Sequence, residues 1–135
     1  MKFDHVAITV SDMERSVKFY RDILGFKVLG KLENPEAGSL FVYLDTGSAI
    51  IELFQFKEKG APWDRNRNED YGLKHFCFRV DSVDEVIERL KAAGVKIVLE
   101  PFDATGGVRI AFFEDPDGVR IELIERELQL EPYEG

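Results

Sequence analysis

Cysteine is nearly missing from this chain: Cys77 stands alone among 135 residues, which excludes an internal disulfide and leaves no cysteine cluster for a structural zinc knuckle. Histidine is almost as scarce, with only His5 and His75. No apolar run approaches the roughly 20 residues of a membrane span. The chain opens directly into an alternating strand pattern rather than the apolar core of a signal peptide, so a cytoplasmic protein with no membrane partner is expected. Positive charge is in deficit, 18 Lys and Arg against 26 Asp and Glu for a formal net charge of −8. A general nucleic-acid or anionic-membrane surface is therefore not expected, and an anionic substrate would need a local cation. The remaining composition, 44% hydrophobic, suits one domain with an ordinary core.

The stretch that organises the chain runs from Phe112 to Glu125. Asp115-Pro116-Asp117-Gly118 combines a proline that presets one turn torsion with a glycine that tolerates positive φ, and so predicts a β-hairpin. In its second arm Val119, Ile121 and Leu123 alternate with Arg120, Glu122 and Ile124. Glu122 is then a mid-strand carboxylate on the face opposite three aliphatics, where it must find a cation, a metal or a proton. Seventy residues earlier, Glu52 sits in Ile51-Glu52-Leu53-Phe54, close to a copy of Ile121-Glu122-Leu123-Ile124. The same shift relates the two histidines. Between His and Glu, each half carries an alternating strand, a capped helix, a glycine stop and three further apolar segments.

The expected fold class is α+β, two paired βαβββ modules in a single domain spanning 1–135: module one 1–56, linker 57–72, module two 73–126 and tail 127–135. Strands are expected at 3–10, 26–32, 39–45, 49–56, 73–80, 95–100 and 108–113, besides the second arm of the hairpin. Capping boxes at Ser11-Asp12-Met13-Glu14 and Ser82-Val83-Asp84-Glu85 open the helices, which stop at Gly25 and Gly94. The first helix should make about three turns. The linker carries Lys57, Lys59, Arg65 and Arg67 among acidic residues and reads as a solvated connector, with Trp63 tucked against the core, or as a lid. The tail is expected to be mobile or docked on a neighbour.

His5 and His75 each lie opposite the aliphatic row that a helix would cover, and Glu52 and Glu122 stand in the same relation to their own aliphatic neighbours. If the two modules pair their sheets, His5, Glu52, His75 and Glu122 form a His2Glu2 set by symmetry. Its charge and its mixed N and O donors suit a divalent metal ion: Zn, Ni, Co, Mn or Fe. Taken singly, each histidine reads better as a hydrogen-bonded core residue and each glutamate as an exposed strand residue; the shared offset within matching local sequence turns the reading to metal. Phe54 and Phe56 share a strand face with Glu52 and read as the apolar wall of a substrate pocket, or as core. Arg79, seventy residues beyond Thr9, reads as a cation for a substrate carboxylate, or as half of a salt bridge.

These stretches resemble the vicinal oxygen chelate superfamily, and within it the bacterial glyoxalase I (lactoylglutathione lyase) branch. The resemblance runs from His5 to Glu125. It rests on Asp12 to Gly25 with Arg15-Ser16 and Phe19-Tyr20, on Glu33-Asn34-Pro35-Glu36, and on Gly106-Gly107 through Phe113-Glu114-Asp115-Pro116-Asp117-Gly118 to Glu125. It implies a metal held by His5, Glu52, His75 and Glu122, a homodimer, and a lyase or isomerase that moves a proton through an enediolate, with Glu52 or Glu122 as the base. A methylglyoxal–thiol hemithioacetal is the implied small-molecule substrate. The chain departs from the glyoxalase pattern at Thr9, where that pattern has an arginine for a glutathione carboxylate, and at Phe56, where it has asparagine. Other chemistries of the superfamily remain open at this point: epimerisation of an acyl-coenzyme A of the methylmalonyl type, ring-cleaving dioxygenation, and non-catalytic binding of a drug or metabolite.

Overall fold

Asp12 and Ser82 begin the same local structure seventy residues apart. In the computed structural model, which describes residues 1–64 and 67–134, each caps a helix. Asp12 Oδ1 accepts from the Arg15 amide at 3.1 Å, and Ser82 Oγ from the Glu85 amide at 3.2 Å. A second oxygen reaches each helix start from a strand 42 residues further on: Gln55 Oε1 accepts from the Met13 amide at 2.7 Å, and Glu125 Oε1 from the Val83 amide at 2.9 Å. Two of the orphan amides at each helix start are thereby satisfied, and each helix is tied to the last strand of its own unit.

The chain divides into two units, Met1–Pro62 and Trp63–Gly135. The first contains β1 (His5–Thr9), α1 (Met13–Val17) continuing as a π-helical stretch (Lys18–Ile23), β2 (Lys27–Asn34), β3 (Ser39–Asp45) and β4 (Ile50–Phe56). The second contains β5 (Phe76–Arg79), α2 (Val83–Ala92), β6 (Ile97–Ala104), β7 (Val108–Glu114) and β8 (Arg120–Glu125). Each unit is a βαβββ module with one four-stranded mixed sheet, ordered β1-β4-β3-β2 in the first and β5-β8-β7-β6 in the second. The first and last strands of each unit pair in parallel, and the other pairs are antiparallel.

One face of each sheet is core. Ile8, Val10, Val42, Leu44, Ile51 and Leu53 are buried in the first unit with Met13, Phe19 and Tyr20 from the helical segment; Ala111, Phe113, Ile121 and Leu123 are buried in the second with Val83, Ile87 and Leu90. No helix among the described residues is long and apolar enough to cross a membrane.

Several boundaries differ from the sequence reading. The first helix is not a regular three-turn α-helix. Phe26 N–H bonds to the Tyr20 carbonyl, whereas Val95 N–H bonds to the Leu90 carbonyl at the matching place in the second unit. The first helix thus holds one more residue before its stop, and π-type turns such as Leu24 N–H to the Phe19 carbonyl take it up. Strand β6 starts at Ile97 and continues through Pro101 to Ala104, past the expected end at Glu100; it is an edge strand, where a missing N–H is tolerated. Strand β5 begins at Phe76, so His75 lies one residue before it. Trp63 is 46% exposed rather than tucked away. The segment after β8 docks on its own unit, with the Gln129 amide donating to the Gly106 carbonyl at 2.8 Å, while Leu130 and Tyr133 beyond it are exposed. Arg65 and Gly135, included above in the linker and the tail, lie outside the described residues.

Candidate functional site

Because directly opposed residues on neighbouring strands share a face, the register fixes what surrounds each glutamate. Glu52 in β4 lies between Ala7 of β1 and Tyr43 of β3. Glu122 in β8 lies between Cys77 of β5 and Phe112 of β7. Both project from the face opposite the buried aliphatics on either side, Ile51 and Leu53 or Ile121 and Leu123.

Each unit then brings one imidazole to one carboxylate. His5 Nε2 is 3.5 Å from Glu52 Oε1, and His75 Nε2 is 3.1 Å from Glu122 Oε1. The two carboxylates are largely shielded, with side-chain exposures of 12% and 15%. His5 Nδ1 lies 2.7 Å from Asp4 Oδ2. Since a carboxylate only accepts, this bond puts a proton on Nδ1, and Nε2 is the nitrogen that faces Glu52. The Asp4 hydrogen bond also raises the His5 pKa above its ordinary 6.5. His75 is steered differently, by the Phe112 ring standing edge-on to the imidazole with centroids 5.1 Å apart at 89°.

These pairs fit a metal ion. Two donors about 2.0–2.2 Å from one ion, at right angles to each other, are themselves about 3 Å apart, close to the 3.1 and 3.5 Å observed. The orienting carboxylate on the far nitrogen of His5 is the usual companion of a metal-binding imidazole. Among the described residues no three His, Cys, Asp or Glu side chains form a group that could hold a metal ion by itself; each unit supplies a pair.

Two neighbours of the glutamates escaped the sequence reading. The Tyr43 hydroxyl donates to the Glu52 carboxylate, and this bond, followed by burial, raises the phenol's pKa above its ordinary 10.0. Cys77 sits against Glu122. Although the residue as a whole is exposed, burial of its thiol, reinforced by the Glu122 charge, pushes its pKa up to about 12. The thiol is therefore neutral at physiological pH and no redox nucleophile. Asp4 also went unnoticed, and its only signal was adjacency to a histidine at a strand start.

Phe54 and Phe56 share the face of Glu52 and cluster with Phe41, at ring-centroid distances of 4.4 Å for Phe41–Phe54 and 6.0 Å for Phe54–Phe56. Phe56 is 39% exposed, so this aromatic surface stands apart from the helix-covered core. Arg79 shares the face of Cys77, and its guanidinium donates to the Arg126 carbonyl. Arg126 is the only non-glycine residue with positive φ among the described residues, so this contact braces the chain where β8 ends.

Comparison with known proteins completes the picture. The family model described as the Glyoxalase/Bleomycin resistance protein/Dioxygenase superfamily matches residues 2–123. The chain is 38% identical to the Bacillus subtilis (strain 168) protein YwkD, described as uncharacterized, over 90% of this chain and 94% of that one. It is 35% identical to the lactoylglutathione lyase of Haemophilus influenzae, over 93% of each chain. The crystal structure of a glyoxalase family protein from Enterococcus faecalis superimposes with a TM-score of 0.75 at 33% identity, covering 92% of this chain and 97% of that one.

Proposed function

Since the chain belongs to the Glyoxalase/Bleomycin resistance protein/Dioxygenase superfamily, we propose that it is a metal-dependent, glyoxalase I-like lyase or isomerase acting on a methylglyoxal–thiol hemithioacetal. The observation that carries this reading is the repeated pair, one imidazole facing one shielded carboxylate in each unit. His5, Glu52, His75 and Glu122 would together hold one divalent ion (Ni, Zn, Co, Mn or Fe), the two units working as one domain and drawn from one chain or from two copies of a homodimer. When bound, such an ion supplies Lewis acidity that makes the C–H beside the substrate carbonyl easier to ionise.

The protein's own groups do the rest. A glutamate takes the proton from the thiol-bearing carbon, giving an enediolate, and returns a proton to the neighbouring carbon. The hemithioacetal becomes a hydroxy thioester with no net oxidation, so no second cofactor is required. Glu122 is the better suited to move as that base, because its strand neighbours are a phenyl ring and the Cys77 thiol, only a weak hydrogen-bond donor, whereas Glu52 accepts from the Tyr43 phenol. The surface of Phe41, Phe54 and Phe56 offers an apolar wall for the methyl and thiol-carbon portions, and Arg79 a cation for a carboxylate. The setting is cytoplasmic, and the partner is a small molecule.

The test is an isomerisation assay on metal-reconstituted protein with methylglyoxal adducts of several thiols, some bearing carboxylates and some neutral. Thioester formation from at least one adduct, lost on chelation and restored by adding the metal back, is expected. A folded, metal-loaded protein that turns over none of them would count against the reading.

A further inference from the structure

Glu52 and Glu122 occupy matching places in their units without having matching neighbours. Across the β3–β4 ladder Glu52 is opposed by Tyr43, and across the β7–β8 ladder Glu122 is opposed by Phe112. The phenol oxygen at the first position has no counterpart at the second, where the ring instead stands edge-on to His75. A glutamate must settle three side-chain torsions before it can bind an ion, and a hydrogen bond from a rigid cross-strand ring settles them in advance.

We propose that Tyr43 is a positioning residue whose hydroxyl holds the Glu52 carboxylate in the orientation that faces His5 Nε2. The first unit then presents a preset ligand pair, while the Glu122 carboxylate of the second, beside the weakly donating Cys77 thiol rather than a phenol, stays adjustable. Asp4 does for His5 what Tyr43 does for Glu52, so both members of the first pair are held from behind. This assignment rests on the reading of His5 and Glu52 as metal ligands.

The experiment titrates the metal-free, full-length protein with Co²⁺ alone, comparing wild type, Tyr43→Phe and Glu52→Gln, and records the melting temperature of each metal-free protein. Tyr43→Phe keeps the ring and loses only the hydroxyl. Its Co²⁺ dissociation constant is expected to rise by about 10- to 100-fold with the metal-free melting temperature unchanged, and in the loaded enzyme kcat should fall more than KM changes. Wild-type affinity in Tyr43→Phe, alongside weakened binding in Glu52→Gln, would overturn the role of Tyr43 and leave the ligand reading intact. Wild-type affinity in both variants would overturn the ligand reading and this inference with it. A Tyr43→Phe protein whose metal-free melting temperature falls together with its affinity would also overturn it, by showing that the hydroxyl supports the sheet rather than the carboxylate.

Discussion

Replacing Glu122 with glutamine is expected to lower kcat by about 10²- to 10⁴-fold, the range for loss of a positioned general base, equivalent to about 2.7–5.4 kcal/mol of transition-state stabilisation. Glutamine keeps the shape of the side chain and removes its charge and basicity. The fold should survive, because Glu122 projects from the face opposite the buried Ile121 and Leu123. A neutral amide is also the poorer metal ligand, so affinity should drop alongside turnover. Steady-state kinetics on metal-loaded protein, with circular dichroism as the fold control, checks this. A folded Glu122→Gln enzyme with wild-type kcat and metal content would remove Glu122 from the chemistry.

The largest stability effect is expected one residue away from the site face, at Phe113. Its side chain is 1% exposed, opposed by Ile97 of β6 and Ile121 of β8. Phe113→Ala should cost about 3–5 kcal/mol through lost burial and the cavity left behind. That is a large share of the roughly 5–15 kcal/mol that holds a domain of this kind together, and corresponds to a fall in Tm of roughly 10–20 °C. Phe112→Ala, on the opposite face of the same strand, should cost clearly less and disturb His75 instead. Equal losses at the two positions would contradict the assignment of faces.

That pair of phenylalanines also shows where the sequence stops being legible. The seventy-residue offset brings His5 to His75 and Glu52 to Glu122, and the structure gives both pairs the same relation within their units. The helix caps obey it too, down to the oxygens of Gln55 and Glu125. The offset fails where a loop differs by one residue. The β3–β4 connection runs from Asp45 to Ile50, and the β7–β8 connection from Glu114 to Arg120, so β7 is displaced by one relative to β3. Adding seventy to Tyr43 lands on buried Phe113, whereas the residue that opposes Glu122 is Phe112. A one-residue slip moves a side chain to the other face of a sheet, and this slip concealed the difference between Tyr43 opposite Glu52 and Phe112 opposite Glu122.

The π-helical stretch has a similar origin. Gly25 follows Asp12 by one residue more than Gly94 follows Ser82, a visible difference. Its absorption as π turns depends on keeping Phe19 and Tyr20 in the core while the chain still reaches β2, which no local propensity specifies. Edge position likewise decided β6, since Pro101 ends a strand only where its missing N–H would have been paired.

The proposed function requires that two imidazole–carboxylate pairs, one from each unit, hold a single divalent ion. Equilibrium titration of metal-free protein with Co²⁺, for wild type and for His5→Ala and His75→Ala separately, tests it most directly. One ion per chain in the wild type, and loss of that ion's tight binding in either variant, is the predicted result. Each variant retaining a tightly bound ion, as two independent half-sites would, or a wild type that binds none, would contradict it.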